Sequence, residues 1–206
     1  DVERGTPHRM QEKYWQTCTC LGSWHYEQGV YERNGYKSAE QVVSMLVDVV
    51  SKNGNMLLSV PLRADGTPDE KEIAIMKEFG AWMKINSESI VKTRPWKIFG
   101  EGPIADADIQ INAQGFNDGQ YTKAGANEIR FTQTEKNLYV SALEWPENKT
   151  INVKSLAEGS TLYPEKIKSV ELLGYGKVKF TRTANALVVS LPEKLNNIMP
   201  VLKIKK

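Results

Sequence analysis

Apolar positions along the chain follow two rhythms, a helical one early and an alternating one after Glu128. Val42, Val43, Leu46, Val49 and Val50 recur at helical spacing, and Ser38 with Gln41 three residues on writes a capping box ahead of them. Asn53-Gly54 is the stop signal of that helix. The run Met56, Leu57, Leu58 and Val60 is too short for a helix and apolar on both faces, which predicts a strand buried in a parallel sheet. Thr67-Pro68-Asp69-Glu70 then opens a second helix, with Thr67 as N-cap and Pro68 at the first helical position. It runs through Ile73, Met76, Phe79, Gly80 and Met83 to near Asn86.

Residues 94–127 lose both rhythms. They are dense in Gly, Asp, Asn and Pro, and read as linker and loop with room for one edge strand. Beyond them "EIRFTQ", "NLYVSALEW", "TINVKSL", "IKSVELLG", "KVKFTRT", "ALVVSL" and "MPVLKIKK" follow at short intervals, parted by turn signals such as Gly174-Tyr175-Gly176. That spacing predicts a small antiparallel β-sandwich, with Val178 and Phe180 on a dry face and Lys177, Lys179 and Thr181 on a wet one. The fold class is therefore α/β plus all-β. The α/β part by itself leaves strand edges and a core face uncovered, so it calls for upstream partners.

Composition narrows the function classes. The 206 residues are 40% hydrophobic and 25% charged, and no apolar run approaches the ~20 residues of a membrane span. Lys plus Arg number 27 against 25 Asp plus Glu, which gives no electrostatic footprint for nucleic acid. Cys18 and Cys20 lie next but one, a spacing that favours neither a bridge nor a zinc site, and read as free, buried thiols. His8 and His25 are the only histidines, too few to draw a metal site. The chain opens on Asp1 and reads as lacking its own beginning, so the absence of a signal peptide carries little.

Three blocks carry a family resemblance: "YWQTCTCLGSWHY", "YKSAEQVVSMLVDVVSKNGNMLLSVPLRADGT" and "FGAWMKINSESIVKTRPW". Their order and spacing resemble the closing part of the catalytic barrel of family 29 glycoside hydrolases, the α-L-fucosidases. The resemblance covers residues 1 to about 100 and implies the C-terminal portion of a (β/α)8-like barrel over 1–100. Linker and loops follow over 101–127, and the appended β-sandwich domain over 128–206. Gln16, His25 and Asn53 depart from the family pattern, standing where a Glu and two Gly residues are usual. Asn is tolerated at a tight Gly site because it can adopt positive φ.

The resemblance also implies a retaining exo-α-L-fucosidase that releases terminal fucose from glycans, secreted or periplasmic, or lysosomal in an animal. No metal or organic cofactor is implied. The implied partners are a fucosylated glycan and the upstream part of the same barrel, with no nucleic acid and no membrane span. Glu3 matches the family's acid/base, with Asp1 as its near rival, while the Asp nucleophile lies upstream of the matched region. Trp24, with His25 and Tyr26, falls on the wall of the fucose pocket, although core packing under the loop is the alternative for the indole. Trp15 and Tyr14 read as packing. Residues 27–36 read as a polar, tyrosine-bearing loop at the strand end where barrel active sites lie. A rival reading is a non-catalytic carbohydrate-binding or structural module, for which Tyr139, Trp145, Tyr163 and Tyr175 would have to form an exposed row.

Overall fold

The computed structural model describes residues 1–107, 115–118, 124–195 and 198–205. Residues 108–114 and 119–123 of the sequence expected to be linker at 101–127 therefore lie outside the described residues. The elements run in chain order from a short parallel set into a long antiparallel one. β1 (Val2–Glu3), β2 (Trp15–Cys20) and β3 (Gly54–Ser59) form a parallel sheet in that order. The short helix α1 (Gln28–Glu32) and the longer α2 (Ala39–Ser51) connect β2 to β3, and α3 (Glu70–Asn86) follows β3. β4 (Arg94–Glu101), β5 (Ile129–Gln133), β6 (Asn137–Ala142), β12 (Val201–Lys205), β8 (Ser169–Leu172) and β9 (Gly176–Lys177) pair antiparallel in that spatial order. β10 (Phe180–Arg182), β11 (Leu187–Ser190) and β7 (Thr150–Val153) make a smaller antiparallel sheet.

The helices form where their caps dictate. Ser38 and Gln41 close the expected capping box reciprocally, at 3.2 and 2.8 Å. Asn53 takes φ +72°, the left-handed conformation that lets Asn stand at a helix end in place of Gly. The cap of α3 differs from the expectation of Thr67: Asp69 holds the position, accepting from Lys71 N at 2.9 Å and Glu72 N at 2.8 Å. Thr67 instead bonds Asp65, and Pro68 precedes the helix rather than opening it. An ionised carboxylate at the cap outcompetes a hydroxyl because it also meets the positive end of the helix dipole.

Two apolar cores sit on opposite faces of the six-stranded sheet. One face carries Phe131, Leu138, Val140, Leu202 and Ile204, which pack against Ile151, Val153, Leu187 and Val189 of the smaller sheet. The other face carries Tyr139 and Val201, which pack against Val43 and Val47 of α2 and Trp82 of α3. Trp82 anchors that layer, 1% exposed, with its indole donating to the Met199 carbonyl at 3.2 Å. Alternation separates dry from wet where it was expected, Val178 and Phe180 packing on the core while Lys177, Lys179 and Thr181 are exposed, but not on β5 and β6, where Arg130, Thr132 and Ser141 on the second face are also buried.

One expectation is met and one is corrected. The edge strand allowed for in residues 94–127 is β4, which begins at Arg94 and pairs with β5, and Pro95 is tolerated on it because no outer strand among the described residues needs its N–H. β3 is not buried on both faces: Leu57 is 57% exposed, because α2 packs on β3 while nothing among the described residues covers the opposite side. No described helix is long and apolar enough to cross a membrane.

Candidate active site

The register of the parallel sheet decides which side chains share a face. Glu3 pairs with Cys18 and Cys18 with Leu57, so these three form one cross-strand row. Val2, Thr17 and Met56 form the adjacent row, which points the other way. Thr17 and Thr19 on that second face are fully buried, Thr17 donating to the Gly5 carbonyl at 2.6 Å and Thr19 to Asp118 at 2.9 Å. Glu3 and Leu57, by contrast, are exposed and Cys18 is half-buried. Glu3 thus stands at the C-terminal end of a parallel strand, on the uncovered face.

Trp24, His25 and Tyr26 lie just past the C-terminal end of β2. Trp24 is 37% exposed and His25 is exposed. The Tyr26 hydroxyl donates to Gln28 at 3.1 Å, and the Arg63 guanidinium lies 5.7 Å from the centre of its ring. Arg63 also lies over Tyr31 at 5.8 Å and pairs with Glu70 at 2.8 Å, so the loop after β3 clasps the loop after β2. Among the described residues no hydrogen bond or ring contact joins Glu3 to Trp24, His25 or Tyr26. The expected loop at 27–36 contains α1, whose Val30 is buried. Tyr36 at its end donates to the Asp69 cap at 2.5 Å, and burial together with that bond pushes its phenol well above the usual range.

Behind Glu3 lies a polar cleft of about 220 Å³ whose lining includes Arg4, Gly22, Tyr36, Lys37, Gln41 and Asp118. Asp118 is its centre of charge, with Lys37 Nζ at 3.1 Å and Arg4 Nε at 3.3 Å. Burial alone would raise its pKa, but the Lys37 ammonium, the Thr19 hydroxyl and Arg4 hold the carboxyl below the usual range. Sequence reasoning missed Arg4, Lys37, Arg63 and Asp118. Asp118 fell within a stretch whose composition signals only loop, and its partners lie about a hundred residues away.

The remaining candidates divide. Cys18 and Cys20 are free thiols, but only Cys20 is fully buried. Trp15 packs over Gly54 and donates to the Lys52 carbonyl at 2.9 Å. Tyr14 does not pack: it is 69% exposed, standing just before β2 begins, with Arg94 5.8 Å from its ring centre. Among the described residues no group of His, Cys, Asp and Glu is placed to hold a metal ion. Of the four aromatics a sugar-binding sheet would need, Tyr139 and Tyr163 are buried and only Tyr175 is well exposed.

By fold, the chain is similar to a Thermotoga maritima α-fucosidase solved in complex with a mechanism-based inhibitor. The TM-score is 0.72 at 24% identity, over 99% of this chain and 42% of that one. Residues 1–88 match the family model Alpha-L-fucosidase and residues 123–205 the model Alpha-L-fucosidase C-terminal domain, and the chain belongs to the α-L-fucosidase family. Among relatives, an alpha-L-fucosidase of Dictyostelium discoideum is 35% identical over 94 residues, 45% of this chain and 20% of its own length. The tissue alpha-L-fucosidase of Mus musculus is 25% identical over 203 residues, 95% of this chain and 38% of its own length. The chain therefore spans well under half the length of the curated relatives it matches.

Proposed function

We propose that this chain supplies the closing part of the catalytic barrel and the following β-sandwich of a retaining exo-α-L-fucosidase that acts on fucosylated glycans outside the cytosol. In this reading residues 1 to about 93 complete a (β/α)8-like barrel with upstream strands, and β4, which pairs with β5, joins residues 128–206 in the sandwich. Glu3 is the acid/base, and Trp24 with His25 and Tyr26 walls the sugar. The observation that carries the reading is the row Glu3, Cys18, Leu57: a carboxylate at a parallel strand's C-terminal end, on a sheet face that further barrel strands would close.

Retaining hydrolysis needs two carboxyl groups about 5 Å apart, one attacking C1 and one protonating the departing oxygen before activating water. Glu3 would serve the second role, and the nucleophilic Asp would come from an upstream strand. A pair of carboxyls suffices for this chemistry, so the reading requires no cofactor. The module reading lacks support, because the aromatics it needs are largely inside the core.

The test is turnover of an aryl α-L-fucoside by a protein that carries this chain joined to its upstream barrel, with the anomeric configuration of the first product followed by NMR. Release of α-fucose, its loss in Glu3→Gln, and no turnover by the isolated 206 residues are expected. Full activity of Glu3→Gln, or of the isolated chain, overturns the reading.

A further inference from the structure

The backbone that carries Glu3 is held from both sides. On the β2 side Arg4 N donates to the Cys18 carbonyl at 2.8 Å. On the other side the partner is a segment from far along the chain. Gly115 bridges Glu3 in parallel, Phe116 N donates to the Glu3 carbonyl at 2.7 Å, and Asp118 N donates to the Arg4 carbonyl at 2.8 Å. Asn117 brackets Thr6, accepting from its N–H at 2.9 Å and donating to its carbonyl at 3.1 Å. The approach is close enough that a Cβ on Gly115, at φ +105°, would lie 2.1 Å from the Glu3 carbonyl oxygen.

Asp118 anchors this segment. Its side chain is 4% exposed and joins Arg4 after β1, Thr19 near the end of β2 and Lys37 ahead of α2, at 3.3, 2.9 and 3.1 Å. Arg4 and Phe116 both take left-handed backbone, at φ +49° and +55°. Such conformations cost about 1–3 kcal/mol each and persist where surrounding contacts over-determine them. Arg4, the residue after the candidate acid/base, is thus turned toward Asp118 while Glu3 stays on the opposite face of the sheet.

We propose that Asp118 is a positioning residue for Glu3: by tying Arg4 to β2 and to the lead-in of α2, it fixes the peptide that aims the Glu3 carboxyl at the glycosidic oxygen. This rests on the reading of Glu3 as acid/base. Asp118 touches no reacting atom in this scheme and acts through Arg4 and the 115–118 segment. A misplacement of about 1 Å in such a group is worth up to roughly 100-fold in rate.

Leaving-group dependence tests it in the protein joined to its upstream barrel. A dinitrophenyl fucoside departs without a proton, whereas an alkyl fucoside needs one, so kcat/KM on the pair reports proton delivery specifically. Asp118→Ala is expected to lose about 10- to 100-fold on the alkyl fucoside and little on the dinitrophenyl fucoside, in the direction of Glu3→Gln but smaller. Gly115→Ala, which displaces the Glu3 carbonyl directly, gives the same signature and carries the test, with Asp118→Asn, if Asp118→Ala fails to fold. Equal losses on both substrates, or none, in these variants overturn the positioning role. A Glu3→Gln protein without leaving-group dependence instead sinks the assignment of Glu3 itself.

Discussion

Arg130 on β5 donates to Asp48 on α2 at 2.5 Å, across the junction between the parallel and antiparallel parts of the chain. The same guanidinium bonds Glu128 at 2.6 Å, Lys52 pairs with Asp48 at 2.7 Å, and the ring of Phe99 lies 5.4 Å from Arg130. Burial works against the Arg130 charge, yet Asp48 and Glu128 more than offset it, while burial lowers the Lys52 pKa. Removing one member strands the others in a dry site. Arg130→Ala is therefore expected to cost about 3–5 kcal/mol of unfolding free energy in urea. A loss under about 1 kcal/mol, the worth of an exposed pair, would show the network to be solvated.

At the start of α2, Ser38 and Gln41 satisfy two backbone donors that have no partner inside the helix. Ser38→Ala is expected to cost about 1 kcal/mol, and Ser38→Asp much less, since either oxygen accepts from the third residue. Paired urea titrations check this. Equal losses for both variants would mean that the cap geometry is dispensable, with packing of Val43 and Val47 alone holding the helix.

Glu72 sets a pH dependence of the opposite sign to most carboxylates. It is 1% exposed, and neither of its side-chain oxygens has a hydrogen-bond partner among the described residues. Burial first, and then the Asp69 carboxylate, push its pKa above the ordinary 4.5, while the Asp69 backbone contact and the Arg63 charge oppose them. The folded state therefore binds the proton more tightly than the unfolded chain. Its contribution is fully present below the ordinary value and is lost as pH rises through the raised one. Relative to Glu72→Gln, the wild type should lose stability as the pH climbs from about 4.5 toward neutrality. Parallel curves for the two proteins across that range would show that Glu72 ionises freely.

The elements that sequence declares best are those whose signal is local. The Ser38–Gln41 box, the left-handed Asn53 and the alternating strands after Glu128 are each written within a few residues, and each forms where the pattern places it. What depends on long-range contact is illegible. Arg130, Thr132 and Ser141 alternate like solvent-facing positions, yet the helices α2 and α3 cover that face, so they are buried. The apolar run at Met56–Leu58 looked buried on both faces because composition carries no record of how many strands share a sheet. Trp24 and Glu3 were reachable only through the family motifs. Asp118 was not reachable at all, since a single Asp in a Gly- and Asn-rich stretch is indistinguishable from a turn residue.

Trp24 separates the two roles open to an indole at a strand end. If it covers the C6 methyl of fucose, that contact is worth about 1 kcal/mol, or roughly fivefold, in discrimination. In the protein joined to its upstream barrel, Trp24→Ala should then narrow by about fivefold the kcat/KM preference for an L-fucoside over the L-galactoside, which carries a hydroxymethyl in place of that methyl. Trp24→Phe should retain most of it, and neither change should lower the unfolding midpoint greatly, because more than a third of the residue's surface already meets solvent. The outcome that assigns Trp24 to packing is the reverse: an unchanged preference together with a fall of about 3–5 kcal/mol in stability, the cost of removing a buried Trp.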